Sequence, residues 1–145
     1  MFRITKLADY GMVLLIEMAR RPRETFNPAE LADSVHIPEP TVSKLLKRMT
    51  SGGLLRSRRG KNGGYELNSD PEQITLAQVL SVLEGPFAMT ECSAGPGRCQ
   101  LEDDCSIRTN WQQINDAIFH GLDQLSLAAM AKPLEAQAVP LHLEQ

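Results

Sequence analysis

Pro40-Thr41-Val42-Ser43-Lys44-Leu45-Leu46-Lys47-Arg48-Met49-Thr50-Ser51-Gly52-Gly53-Leu54-Leu55-Arg56-Ser57-Arg58-Arg59-Gly60-Lys61-Asn62-Gly63-Gly64-Tyr65-Glu66-Leu67, residues 40–67, decides the fold. Val42, Leu45, Leu46 and Met49 fall at i, i+3, i+4 and i+7, the single stripe that a helix buries, and Gly52-Gly53 ends it. The other side of that helix carries hydroxyls near its N-terminus (Thr41, Ser43) and cations beyond them (Lys44, Lys47, Arg48). Leu54–Ser57 and Tyr65–Leu67 are then two short alternating runs, joined by a stretch whose glycines and Asn62-Gly63 pair supply the positive φ that a hairpin tip needs. The predicted unit is a helix followed by a β-wing with Arg58, Arg59 and Lys61 at its tip.

Working upstream, Asn27-Pro28-Ala29-Glu30 offers a helix cap, a proline at the first helical position and a glutamate at the third. A short helix over about 28–34 follows, burying Leu31, Ala32 and Val35, and His36-Ile37-Pro38 breaks it. Before it, Ala8, Met12, Leu15, Ile16 and Ala19 recur at helical spacing from Lys6 to Arg21, where Pro22 closes the helix. A short helix, a tight turn and a longer helix with this polar face form a helix-turn-helix, whose second helix enters the major groove by its N-terminal end. Charge agrees: residues 44–61 hold seven cations and no anion, and residues 1–70 hold 12 Lys/Arg against 8 Asp/Glu, although the whole chain carries −3. A local field of that sign draws polyanions, and a narrow minor groove attracts inserted arginine. The expected DNA-contacting residues are Thr41, Ser43, Lys44, Lys47, Arg48, Arg58, Arg59 and Lys61, and the expected partner is double-stranded promoter DNA.

Downstream, Thr75 and Gln78 form a capping box for a helix carrying Leu76, Val79, Leu80 and Leu83, stopped by Gly85-Pro86. All three cysteines, Cys92, Cys99 and Cys105, then fall in one Gly- and Pro-containing loop, spaced Cys-x6-Cys-x5-Cys. Ile107, Trp111, Ile114, Ile118, Leu122 and Leu125 step by 4, 3, 4, 4 and 3. That stripe lies on one face of a helix of about 20 residues, on the order of 30 Å long, opening at Cys105. Too little chain remains to bury it, so it is expected to pair with a second copy, and a homodimer suits a two-fold operator. The fold expected is mainly α with a small β-hairpin: a winged helix-turn-helix domain (1–84), a cysteine loop (85–105), a long C-terminal dimerisation helix (106–130) and a loose tail (131–145).

No window approaches the 18 or so uncharged apolar residues of a membrane span, and residues 1–6 lack an apolar leader, so a cytoplasmic location with no membrane partner is expected. An odd cysteine count argues against a disulfide framework and for reduced thiols or metal thiolates. The spacing is neither that of zinc ribbons nor the tight run of ferredoxins. It leaves open an iron–sulfur cluster, a metal-free thiol switch, zinc, or coincidence. Without a phosphate loop, nucleophile triad or paired acid–base motif, an enzyme is not expected. His36 in the turn and His120 on the long helix are poor ligand candidates, and Glu102-Asp103-Asp104 reads as an acidic run suited to a helix N-terminus.

Leu7-Ala8-Asp9-Tyr10-Gly11, the segment Arg59-Gly60-Lys61-Asn62-Gly63-Gly64-Tyr65, and three cysteines followed by a long helix with Trp111 together resemble the IscR/NsrR-type winged-helix transcription regulators. The resemblance covers about residues 1–130 and is strongest to the branch that regulates the SUF iron–sulfur assembly system. It implies a cytoplasmic homodimer that binds promoter DNA and senses cluster supply, oxidants or nitric oxide through an iron–sulfur cluster, 2Fe–2S or 4Fe–4S, held by Cys92, Cys99 and Cys105. In the cluster-assembly branch a histidine three residues past the last cysteine resembles the fourth ligand, but here that residue is Arg108, which has no lone pair to offer. In the nitric-oxide-responsive branch an aspartate of the first helix fills the role, and the matching residue is Asp9, which on this resemblance reaches across from the partner subunit.

Overall fold

In a computed structural model of the chain, residues 3–133 are described. The elements run α1 (Lys6–Arg20), α2 (Pro28–Val35), α3 (Glu39–Ser51), β1 (Leu55–Arg58), β2 (Gly64–Leu67), α4 (Leu76–Glu84), α5 (Arg108–Asp123) and α6 (Leu127–Ala131), with 3-10 turns at Pro71–Gln73 and Glu91–Ser93. α1 lies at the centre. Its apolar face (Ala8, Met12, Leu14, Leu15, Met18) is buried, and α2, α3, α4 and α6 all pack against it. Gly11, also buried, marks the closest approach of α4, since a Cβ there would meet the Leu83 side chain at 2.5 Å.

Local chemistry sets the boundaries. Thr5 caps α1 through the Ala8 N–H, and Asn27 caps α2 through the Ala29 N–H. The α2–α3 turn is made by His36, the one described non-glycine residue in the left-handed region (φ 56°), with Ile37 buried behind it. Thr75 and Gln78 complete the capping box of α4 in both directions. β1 and β2 pair antiparallel in the register Leu55↔Leu67, Arg56↔Glu66, Ser57↔Tyr65 and Arg58↔Gly64. At the root of the hairpin, Phe26 and Tyr65 exchange backbone hydrogen bonds of 2.7 and 2.9 Å, which stitch the wing to the α1–α2 connection. The fold is a winged helix.

Residues 106–130, expected as one helix opening at Cys105, are two. α5 begins at Arg108, three residues past Cys105, and ends at Asp123. Ser126 then caps α6 through the Ala129 N–H, and Leu127 is fully buried in the winged domain. The cause is backbone capture: the Leu76 N–H donates to the Leu125 carbonyl at 2.8 Å and the Leu127 N–H to the Ile74 carbonyl at 2.7 Å. An extended pairing of residues 125–127 with 74–76 interrupts the helix that the apolar spacing alone would continue. Of the tail expected over 131–145, Ala131 ends α6, and residues beyond 133 lie outside the described ones.

Candidate nucleic-acid interface and cysteine loop

The polar face of α3 stands clear of the core. Lys44 and Lys47 are exposed and Thr41 and Ser43 half-buried near the N-terminus, while Val42, Leu45, Leu46 and Met49 anchor the opposite face. Arg48, expected beside the lysines, has a second role: its Nε donates to the Val82 carbonyl of α4 at 3.1 Å, bracing α3 rather than standing free. The wing sorts its cations in the same way. Arg56 and Arg58 both bond the carboxylate of Glu66, which they cover so fully that its side chain is only 7% exposed. Arg59 and Lys61 enter no ion pair among the described residues and stand exposed at the tip. Of the cations expected at the interface, Lys44, Lys47, Arg59 and Lys61 are thus the ones held by no hydrogen bond or ion pair among the described residues.

Burial by itself would raise the Glu66 carboxyl, but hydrogen bonds from Arg58 and Arg56 outweigh it and hold the group below its ordinary value of 4.5. A carboxyl lowered in the folded state contributes stability that is present above its unfolded value and is lost as pH falls through the lowered one. Thermal unfolding followed from about pH 5 downward is expected to show an acid-side loss in the wild type that Glu66→Gln flattens. An unchanged pH profile in that variant would remove Glu66 as the carboxylate responsible.

The cysteine loop leaves α4 at Gly85 and reaches α5 at Arg108. Cys92, Cys99 and Cys105 are all free thiols and half-buried. Cys92 sits in the 3-10 turn, its Sγ 3.1 Å from the Thr90 hydroxyl, which also bonds Ser93 Oγ at 2.9 Å. One residue earlier, the Met89 N–H donates to Oδ1 of Asn115 at 3.1 Å. Asn115 is the one buried residue of α5. Sequence reading missed it, since a polar residue within an apolar stripe carries no sign of which backbone group it will meet.

On the far side of the loop Arg108 bonds Oε1 and the backbone carbonyl of Glu102, and Oε2 of Glu102 accepts from the Gly97 N–H. Glu102 therefore belongs to an internal clamp rather than to a helix N-terminus. Arg108, where the resemblance puts a histidine ligand, is the other jaw. The donor chemistry suits an iron–sulfur cluster, with three unpaired thiols on one loop whose Gly95 and Gly97 adopt positive φ. The gathering of donors does not: among the described residues no three His, Cys, Asp or Glu side chains are drawn together as a metal set. Asp9 is exposed on the first turn of α1, in a hollow walled by Arg3, Ile4, Thr5 and Lys6 and by none of the cysteine loop.

The sequence of residues 4–133 matches the family model described as Rrf2, iron-dependent transcriptional regulator. The chain belongs to the Rrf2 family. Among Rrf2 relatives it is 32% identical to the HTH-type transcriptional regulator CymR of Bacillus subtilis over 133 residues, 89% of either chain. It is 28% identical to NsrR of the same organism, covering 92% of each, and 27% identical to IscR of Cronobacter sakazakii, covering 92% of this chain and 82% of that one. The solved structure of CymR (YrzC), the global cysteine regulator of B. subtilis, superposes with a TM-score of 0.70 at 29% identity, over 90% of this chain and 97% of that one. The Rrf2 chain is accordingly a DNA-binding transcriptional regulator, of a family that is not one of enzymes, and no helix among its described residues is long and apolar enough to cross a membrane.

Proposed function

We propose that this Rrf2 protein is a cytoplasmic, homodimeric promoter-binding regulator that reads DNA with α3 and the wing and senses through Cys92, Cys99 and Cys105. The observation that carries the reading is one chain joining unneutralised cations on α3 and the wing tip to three free thiols on a loop bonded to α5. Thr41 and Ser43 would approach base edges and phosphates at the mouth of the major groove, Lys44 and Lys47 the flanking phosphates, and Arg59 and Lys61 the minor groove. Arg48 and Arg58 would contribute through the face they brace more than by direct contact.

The sensing group favoured is an iron–sulfur cluster on the three cysteines, of the kind expected in a regulator of SUF assembly genes. Bound there, a cluster supplies a redox- and supply-sensitive crosslink between loop segments. The protein's own part is to bring the three sulfurs together, for which the loop must close from its present arrangement. Asp9 of the partner subunit would be the oxygen ligand completing the set, as a nitric-oxide-responsive repressor would use it. Dimerisation is supported by α5, where Ile114, Ile118 and Phe119 are each at least 36% exposed in the single chain, next to Ile107 and Leu125. Covering the apolar area that these side chains leave in water with a second copy is favourable at about 25 cal/mol per Å².

Anaerobic isolation followed by iron and sulfide analysis, absorbance spectroscopy and promoter binding tests the proposal. Iron, acid-labile sulfide and a promoter affinity that changes when oxidant bleaches the colour are expected. A colourless, iron-free protein that binds its promoter fully and ignores oxidant would sink it. The second reading, a thiol switch without metal, is favoured by the Thr90 hydroxyl on Cys92 Sγ and would show oxidant-dependent disulfides with no iron.

A further inference from the structure

The hydrogen bond between Met89 and Asn115 at the start of the cysteine loop differs in kind from the clamp at its end. Arg108, Glu102 and Gly97 tie the loop to itself and to the first residue of α5, whereas Met89 and Asn115 tie it to the middle of that helix. A buried asparagine in a helix costs about 1–3 kcal/mol when its polar atoms go unmet, and helix interiors do not favour the residue. Its presence at the one buried position of α5 is explained by the Met89 N–H it receives. Thr90, the next residue, has a hydroxyl that bonds Cys92 Sγ and Ser93 Oγ, and its carbonyl accepts from the Ser93 and Ala94 N–H groups, closing the 3-10 turn. Cys92 is therefore joined to the middle of α5 through two residues, Thr90 and Met89, with a specific bond at each end. Neither Cys99 nor Cys105 has a side-chain hydrogen bond of this kind recorded among the described residues.

We propose that Thr90 and Asn115 are positioning residues that couple Cys92 to α5, so that a change of bonding at the Cys92 sulfur shifts the helix as well as the loop. This rests on the cysteine loop being the sensor, and it holds whether the sulfur is taken up by a metal or modified as a thiol. A sulfur with no hydrogen of its own can only accept, so the Thr90 hydroxyl must donate to it and the Ser93 hydroxyl to Thr90. A sulfur carrying hydrogen can itself donate to Thr90, and the order of the hydroxyl chain reverses. Either order is accommodated at Thr90, whose backbone passes directly to Met89 and from there to Asn115. Small rearrangements of a packed turn transmit through such contiguous bonded elements.

Hydrogen–deuterium exchange on the full chain, with mass-spectrometric readout of the cysteine loop and of α5 separately, tests the coupling. Anaerobically isolated protein is compared with the same sample after iron chelation, and metal-free protein before and after N-ethylmaleimide labelling of its thiols. Expected in the wild type is a changed exchange rate in both segments. In Asn115→Ala and Thr90→Val the loop still responds while the response of α5 is lost, and Asn115→Asp and Thr90→Ser, which keep the oxygen, restore it. An α5 response in Asn115→Ala equal to that of the wild type overturns the proposal, as does a wild-type loop that responds while α5 does not. Iron-free wild-type protein counts against the cluster reading alone, because the labelling arm still reports on the coupling.

Discussion

Replacing both wing-tip cations, Arg59→Ala with Lys61→Ala, is expected to weaken promoter binding by about tenfold or more per wing. It should also lower the slope of log affinity against log salt, by at most about 1.8 per wing, since each cation in the groove that neutralises a phosphate charge contributes about 0.9. An arginine set into a groove is worth about 1–3 kcal/mol, and 1.4 kcal/mol is a factor of ten. The pair is singled out by what the neighbouring arginines do. Arg56 and Arg58 are both held by Glu66, and Arg48 reaches back to Val82, so the tip carries the wing cations that no internal partner holds in place. Lys47→Ala, on the exposed face of α3, should cost less and lower the slope by about 0.9. Affinity and salt dependence both unchanged in the double variant would take the wing out of the interface.

The second large effect is expected from Gly64→Ala. Gly64 has φ +153°, and a Cβ there would lie 2.4 Å from the carbonyl oxygen of Phe26, a backbone atom that cannot turn aside as a side chain would. The strained φ costs about 1–3 kcal/mol and the forced overlap a similar amount. Together they remove a substantial part of a stability on the order of 5–15 kcal/mol. Because Phe26 and Tyr65 hold the root of the hairpin, the wing should loosen before the helices do. Gly60→Ala is the comparison: φ is +111° there, yet nothing lies within 4 Å of the added carbon, so only the conformational cost applies. Urea unfolding of the two variants reads the difference, and equal midpoints would show that the Phe26–Tyr65 seam does not constrain the wing.

What could be read from sequence were features written in short-range patterns. The capping box of α4, the buried stripe of α3 and the glycine-borne hairpin tip each depend on residues within about seven positions of one another. Asp123 to Leu127 fails that test. Leu125 continues the apolar spacing, but the backbone of residues 125–127 is claimed by residues 74–76, some fifty positions away. The pairing of Arg58 was within reach: Arg56 and Arg58 share a face of β1 by the two-residue period, and the register sets Glu66 opposite Arg56. Arg108 is harder. Its lack of a lone pair shows in the sequence, but its hold on Glu102 does not, because a loop without periodicity does not announce which of Glu102, Asp103 and Asp104 turns inward.

The return of the chain to its beginning, through Leu127 and α6 against α1, has a consequence for biosynthesis. On a ribosome the winged domain is threaded out long before residue 127, yet the groove on α1 that α6 fills stays open until the cysteine loop and α5 have also emerged. Contacts of such long sequence separation form late, and domains complete as units during synthesis. A nascent chain thus finishes the core beneath its DNA-reading face only after its three thiols have been made, and a product that stops short of α6 leaves the groove on α1 unfilled even when all three thiols are present.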